Sequence, residues 1–166
     1  MSEQEIAIKI AVIVVLSGLV GLDRELRHKP AGAKTHILVG LGSTIFTLAS
    51  LNIFLMYGDK TPVDPGRIAA QIVTGIGFLG AGTIIQSGGN VRGLTTAASL
   101  WAVAGIGIAV GMGMYYLAAV SAAAIMLVFL VINRIMAVVS KQVTDAEIKI
   151  KGMKGKKIKR GEDDPV

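Results

Sequence analysis

The sequence contains no cysteine and few charged residues, and a long central part of it contains no acidic residue. The absence of cysteine excludes disulfide bonds, thiolate metal sites and a cysteine nucleophile. Charged residues make up 17% of the 166 residues, whereas an average soluble domain has about 25%. No Asp or Glu occurs between Asp64 and Asp145, and this disfavours a carboxylate-lined path for Mg²⁺ through that region.

The sequence also lacks the residue patterns of an enzyme or a cofactor site. It has no nucleophile–base pair, phosphate loop or carboxylate dyad, so we predict no catalytic residue and no cofactor. Gly75, Gly77 and Gly80 match the dinucleotide-binding fingerprint, but they lie within an apolar run and no acidic residue follows at the required distance. His28 and His36 have too few carboxylates near them in the sequence for a metal site, so no metal ligands are predicted.

Apolar residues dominate what is present. They make up 52% of the chain, and the mean hydropathy is +0.65. Five apolar runs each approach the ~20 residues that a helix needs to cross ~30 Å of hydrocarbon. The last two runs are separated by little more than Gly111 and Gly113, and together they are too long for one span, so a helical hairpin is predicted. We therefore predict an all-α integral membrane protein, a bundle of about five transmembrane helices with spans at residues 6–22, 37–57, 68–85, 94–110 and 112–132.

The distribution of Lys and Arg predicts the orientation of these spans. Fourteen of the 17 basic residues lie in the 23–36 loop, in the 86–93 turn or in the C-terminal part from residue 134 onward. Cytoplasmic segments carry an excess of Lys and Arg, so the C-terminus is predicted inside and the N-terminus outside. The tail, residues 141–166, is basic and then acidic. We predict that it is disordered and contacts anionic lipid, with no nucleic acid as a partner.

Small residues are dense in the third and fourth runs. They let helix backbones approach closely in lipid, where apolar side chains supply no drive for association between helices. Ser17 and Gly21, like Ala118 and Ala122, show the four-residue spacing of such contacts. We predict that a set of glycines packs against neighbouring helices: Gly75, Gly77, Gly80, Gly82, Gly107 and Gly111.

Polar residues at the outer end of the third run allow two interpretations. Asp64 precedes Pro65, and an Asp before a helix whose first residue is Pro is a common helix start. Alternatively, Asp64 is a functional charge that pairs with Arg67 three residues later, with Gln71 one further turn into the membrane as a polar group that needs a partner.

A second polar group lies at the predicted cytoplasmic end. The sequence Asp-Arg-Glu at 23–25 and Arg92 in the glycine-rich turn either form a lock between helices or lie in solvated loops. Thr95 or Thr96 is expected to cap the fourth helix, because a hydroxyl at a helix start accepts an unpaired backbone N–H.

Three segments together resemble the MgtC/SapB family of prokaryotic membrane proteins: GLDRELRHKPAGAKTHILVGLGS (21–43), DPGRIAAQIVTGIGFLGAGTII (64–85) and VRGLTTAASLWAVAGIGIAVGMGMY (91–115). The resemblance covers roughly residues 5–132. It implies five spans in the plasma (inner) membrane, with the N-terminus outside and the C-terminus inside. It also implies a set of functional polar positions: Asp23, Arg24, Glu25, Arg27, Lys29, Asp64, Arg67, Gln71, Arg92 and Thr95.

The resemblance further implies a function. Members of this family are implicated in growth under magnesium limitation and in intracellular survival of pathogens. They are thought to bind and restrain other membrane proteins, including the F-type ATP synthase. Many members carry a folded cytoplasmic domain after the fifth span, and the short tail here places the chain nearer the SapB-like form. Two functions stay open, a non-enzymatic modulator of other membrane proteins and a transporter or channel for an ion or small solute. Homo-oligomerisation is also left open.

Overall fold

The computed structural model describes residues 1–58, 62 and 64–162 of the chain. The described backbone forms five helices and one short β-hairpin, so the predicted helical fold is confirmed. The helices are α1 (Glu3–Leu26), α2 (Ala33–Tyr57), α3 (Gly66–Gly82), α4 (Leu94–Gly111) and α5 (Tyr115–Glu162).

Four of these helices are long and apolar enough to cross a membrane, namely α1, α2, α4 and the Tyr115–Ala137 part of α5. Helix α3 has 17 residues and extends about 26 Å at 1.5 Å per residue, slightly less than the ~30 Å of hydrocarbon. The predicted third span, 68–85, ends earlier than expected, because Ile85–Ser87 forms the first strand of the hairpin.

The hairpin joins α3 to α4. Strand β1 (Ile85–Ser87) pairs antiparallel with β2 (Asn90–Arg92), and Ser87 lies opposite Asn90. Between them, Gly88 and Gly89 have φ angles of 56° and 82°, the left-handed values that a type I′ turn requires at both central residues. The sequence predicted a tight turn here without strands, because three-residue strands are too short for periodicity to indicate them.

The break between α4 and α5 is a turn of three residues. Gly113 has a φ of 79°, and its N–H donates to the carbonyl of Val110 over 2.9 Å. The N–H of Met114 donates to the carbonyl of Ala109 over 2.8 Å. These two bonds form a Schellman motif, which ends a helix with a left-handed residue. The predicted break of this apolar stretch into two helices is confirmed.

Helix α1 ends in the same motif without a glycine. His28 takes the left-handed position with a φ of 53°, and its N–H donates to the carbonyl of Glu25 over 3.0 Å. The N–H of Lys29 donates to the carbonyl of Arg24, also over 3.0 Å. The chain therefore turns sharply after α1 and enters α2 within a few residues.

The chain divides into two compact units, residues 1–126 and the residues from 127 onward. In the first unit, α2 packs against both α1 and α4, while α3 packs against α4 and α2. Fully buried side chains of the first unit include Ile13, Val20, Leu100, Val103 and Val110. Helices α1, α2 and α4 therefore form a three-helix core, and α3 lies against two of its members.

Two glycines of α4 allow it to approach α2 closely. A Cβ on Gly107 would lie 2.6 Å from the carbonyl oxygen of Gly40 and 2.7 Å from the Cβ of Ser43. A Cβ on Gly111 would lie 2.6 Å from the Cβ of Thr47. Backbone and Cβ atoms cannot rotate away, so both positions exclude any larger residue at this helix separation.

The glycines of α3 lie in a different environment. A Cβ on Gly75, Gly77 or Gly82 would meet no atom within 4 Å in the described structure. The prediction that these three pack against a neighbouring helix of the chain is therefore wrong. A Cβ on Gly80 would be 3.5 Å from its nearest neighbour, an ordinary contact. The difference arises because α3 is buried along a narrow stripe that includes Ile76 and Gly80, with the open glycines outside it.

The second unit differs from the sequence-based expectation. Residues 141–166 were predicted to be a disordered tail, whereas the backbone of α5 is helical as far as Glu162. Residues 141–162 contain no proline and many good helix formers, although Gly152, Gly155 and Gly161 each disfavour a helix. The last four residues lie outside the described part of the chain.

Candidate functional site

Polar side chains are buried where three helix ends meet, at the end of the bundle that carries the loop between α1 and α2. The C-terminus of α1 contributes Arg24, the N-terminus of α2 contributes His36, and the N-terminus of α4 contributes Thr96 and Ser99. The exposed fraction of these residues is at most 4%. These four residues are named the loop-end network.

Arg24 links α1 to α4. Its Nη2 atom donates to Thr96 Oγ1 over 3.0 Å, and the bond is buried. A hydrogen bond from a charged group contributes more than a neutral one, and its loss leaves part of a desolvated charge without an acceptor. Apolar contacts tolerate small shifts between helices, whereas this bond requires two particular atoms to meet. It therefore fixes both the rotation of α1 about its axis and its position along α4.

His36 links α2 to α4 within the same network. Its Nε2 atom lies 3.0 Å from Ser99 Oγ, and its Nδ1 atom lies 2.9 Å from the carbonyl oxygen of Gly32. Because a carbonyl oxygen only accepts, Nδ1 carries a proton. Ser99 Oγ also lies 2.8 Å from the carbonyl oxygen of Thr96. With a neutral imidazole, the single hydroxyl proton of Ser99 has two competing acceptors, His36 Nε2 and that carbonyl.

Two acidic residues beside the network stabilise the turn after α1. Glu25 Oε2 accepts the N–H of Ala33 over 2.8 Å. This bond caps α2, which follows Gly32 and so has no capping side chain of its own. Asp23 Oδ1 accepts from Arg27 Nε over 2.9 Å, one turn further along α1.

Of the two alternatives for the 23–25 cluster and Arg92, the lock between helices is not formed among the described residues. Arg92 is exposed on β2 and makes no ion pair with the residues that the structure describes. Helix α4 follows Gly93 without a side-chain cap, so the prediction that Thr95 or Thr96 caps it is wrong. Thr95 is exposed, and the buried acceptor for α1 is its neighbour Thr96.

A second buried charge lies at the opposite end of the core. Lys9 is 3% exposed, and its Nζ donates to the carbonyl of Gly111 over 3.0 Å and pairs with Glu5 over 3.1 Å. Gly111 is the last residue of α4, where the unpaired carbonyls and the helix dipole favour a cation. A lysine near the end of a span commonly extends its amine to the membrane surface, whereas Lys9 lies inside the core.

The start of α3 follows the helix-start interpretation of Asp64. Its Oδ1 atom accepts the N–H of Gly66 over 2.8 Å, and no ion pair joins it to Arg67 in the part of the chain that the structure describes. Ser50 of α2 donates to the carbonyl of Pro65 over 2.9 Å and so ties the beginning of α3 to the core. Arg67 and Gln71 are both exposed.

The buried polar residues that sequence reasoning missed have one feature in common. Thr96 and Ser99 lie on α4 and His36 and Ser50 lie on α2, and only the facing helix decides whether each of them is buried. Thr96 and Ser99 are spaced three apart and therefore share a face, which is the one signal that the sequence offered. No group of three or more His, Asp or Glu residues that is able to hold a metal ion occurs among the described residues.

Four long apolar helices and buried polar contacts between them define a multi-pass helical membrane protein. The chain belongs to the MgtC family, whose model matches residues 10–138. It is 44% identical over 115 residues to the "Putative magnesium transporter YhiD" of Escherichia coli K12, covering 68% of this chain and 54% of that protein. It is 49% identical over 102 residues to "Protein MgtC" of Salmonella typhimurium LT2, covering 61% of this chain and 41% of that protein.

"Protein MgtC" of Brucella abortus is 49% identical over 107 residues, covering 64% of this chain and 42% of that protein. The chain thus spans about half the length of the curated relatives it matches. No solved structure matches it.

Proposed function

We propose that this protein is a non-enzymatic modulator of other membrane proteins, located in the bacterial plasma membrane and required when magnesium is scarce. Membership of the MgtC family and the magnesium-related name of one relative support the link to magnesium. The observation that carries the modulator role is an exposed row of small residues on α3.

This row, named the α3 face, consists of Ala70, Thr74, Gly77 and Ala81. Their spacing of four, three and four residues places them on one side of the helix. All four are exposed in the described structure, and a Cβ on Gly77 would meet no atom within 4 Å. In lipid, such a face favours the close approach of a helix from another protein. By family resemblance, the F-type ATP synthase is the first candidate partner.

The test compares two glycines that both have open space around them. Gly77→Leu fills the α3 face, whereas Gly105→Leu adds the same side chain to an exposed position on α4. We expect Gly77→Leu to abolish growth at low magnesium and Gly105→Leu to preserve it, with equal accumulation of both proteins. A photo-crosslinker at Thr74 should capture the partner. Normal growth with Gly77→Leu would contradict the proposal.

The second candidate function is magnesium transport, which the name of the Escherichia coli relative suggests. Several described hydroxyl groups within the spans are bonded to backbone carbonyls: Thr44 Oγ1 donates across helices to Gly107 over 2.9 Å, and Ser43 Oγ donates within α2 to Val39 over 2.9 Å. This supports the modulator role. Purified protein in liposomes should give no Mg²⁺ flux above that of empty liposomes, and a protein-dependent flux would favour the transporter.

The proposed orientation places the C-terminal segment in the cytoplasm. The chain has no cysteine, so single-cysteine variants report unambiguously. In intact cells, Lys156→Cys should resist an impermeant thiol reagent, while Pro62→Cys in the loop before α3 should react. Labelling of Lys156→Cys would overturn the orientation.

A further inference from the structure

An apolar groove runs between α2 and α3 on the opposite side of α3 from Gly77. It has a volume of about 680 Å³, and its walls include Leu38 and Phe46 on α2 and Leu79 on α3. The groove exists because a glycine occupies each wall. A Cβ on Gly42 of α2 or Gly75 of α3 would meet no atom within 4 Å.

The length of the groove along the helices matches the thickness of one membrane leaflet. On α2 its lining begins at Thr35, in the first turn of the helix, and extends to Phe46. The eleven steps from Thr35 to Phe46, at 1.5 Å each, correspond to about 16 Å, which is about half of the ~30 Å hydrocarbon thickness. An extended acyl chain of this length is narrow enough to lie along the groove.

The shallow end of the groove is suited to an anion. Lys34 lies beside Thr35, and both are exposed. The first N–H groups of a helix have no acceptor within the helix, and they carry the positive end of its dipole. Glu25 takes the N–H of Ala33, and the next N–H groups of this first turn are those of Lys34 and Thr35.

We propose that the α2–α3 groove binds an anionic phospholipid, with one acyl chain along the groove and the phosphate at the first turn of α2 beside Lys34. The apolar walls, the leaflet-deep length and the cationic end each match one part of such a lipid. This site is separate from the α3 face, so it does not depend on the proposed function.

The test is native mass spectrometry of the purified full chain in detergent with phosphatidylglycerol or phosphatidylethanolamine at equal concentration. We expect phosphatidylglycerol to be retained about fivefold more, the ratio that corresponds to about 1 kcal/mol for one lysine near an anionic headgroup. Lys34→Gln should abolish this preference. Lys29→Gln, which changes a basic residue in the same loop, should preserve it.

Substitutions in the walls test the acyl-chain part. Gly75→Leu and Gly42→Leu fill the groove from its two sides and should each abolish retention of the lipid. Gly77→Leu makes the same change on the opposite side of α3 and should leave retention unchanged. Circular dichroism and gel filtration verify folding, and the use of two walls keeps the test informative if one variant misfolds.

Other outcomes would overturn the proposal. Lipid retained by both groove variants, or lost equally from Gly77→Leu, would exclude the groove as the site. Equal retention of the two lipids by the unmodified protein would exclude a preference for a net negative headgroup, and with it the proposed role of Lys34. A dimer that disappears with Gly75→Leu would identify a second copy of the chain as the occupant.

Discussion

Both the three-helix core and α3 contain glycines, but several of those of the core are packed against another helix and most of those of α3 are exposed. In the core, Gly107 and Gly111 leave no space for even a Cβ, and the buried Arg24 and Lys9 are bonded to α4. On α3, Gly75 and Gly77 face open space. The comparison shows that glycine density in a membrane helix indicates a smooth surface, and that the surrounding helices decide whether this surface is already covered.

The largest expected effect comes from enlarging a core glycine. Gly107→Leu has to displace the backbone of α2 at Gly40, so it should destabilise the protein by about 3 kcal/mol. Gly105→Leu lies in the same helix with open space around it and should change stability by less than about 0.5 kcal/mol. Thermal unfolding in detergent measures both. Equal melting temperatures would mean that the α2–α4 contact is looser than described.

A smaller effect is expected in the loop-end network. Thr96→Val keeps the shape of the side chain but removes the acceptor of the Arg24 guanidinium, so it should cost about 2 kcal/mol. Thr95→Val changes the exposed neighbour and serves as the matched control, with less than about 0.5 kcal/mol expected. The free energies of unfolding of both variants, measured in the same detergent, test this prediction. Equal stability would show that the hydroxyl of Thr96 contributes nothing to the core.

The hydrogen bond that joins the beginning of α3 to the core should contribute less to stability than the Arg24–Thr96 bond. Ser50→Ala removes the hydrogen bond to the Pro65 carbonyl and should cost about 1 kcal/mol. Because this bond holds the beginning of α3, the effect should be local, with faster amide hydrogen exchange at residues 66–72 and unchanged exchange in α1. Uniform acceleration in both helices would show that α3 and the core unfold together.

The smallest effect on stability is expected at Asp64. Asparagine offers the same oxygen to the N–H of Gly66, so Asp64→Asn should change stability by less than about 0.5 kcal/mol. We nevertheless expect this variant to lose growth at low magnesium, because the carboxylate charge is exposed at the membrane surface and available to a partner. Full activity of the folded variant would show that Asp64 serves only to stabilise the beginning of α3.

Composition and periodicity were sufficient to predict the five helices and the turn between α4 and α5. Long runs of apolar residues indicate a lipid environment, and glycines between them indicate positions where the backbone turns. The polar contacts were not predictable to the same degree. Whether Thr95 or Thr96 is the buried acceptor depends on how α4 is rotated against α1, and one residue along a helix turns a side chain by about 100°. Packing over the whole bundle determines that rotation.

The open glycines of α3 illustrate the same limit. Gly75 and Gly107 are both glycines within apolar helices, and nothing in the sequence alone separates the one in open space from the one packed against a backbone carbonyl. The end of α3 was placed three residues too late for a related reason. Ile84 and Ile85 continue the apolar run, but the helix ends at Gly82 and Ile85 begins the strand that precedes the Gly88–Gly89 turn.

The bond between Lys9 and the carbonyl of Gly111 joins residues 102 positions apart in the chain. A ribosome adds roughly 5–20 residues per second, so α1 is made roughly 5–20 seconds before its acceptor on α4 exists. During that interval Glu5, one turn away, is the partner that Lys9 has at hand. The finished structure keeps this ion pair and adds the carbonyl of Gly111 as a second acceptor.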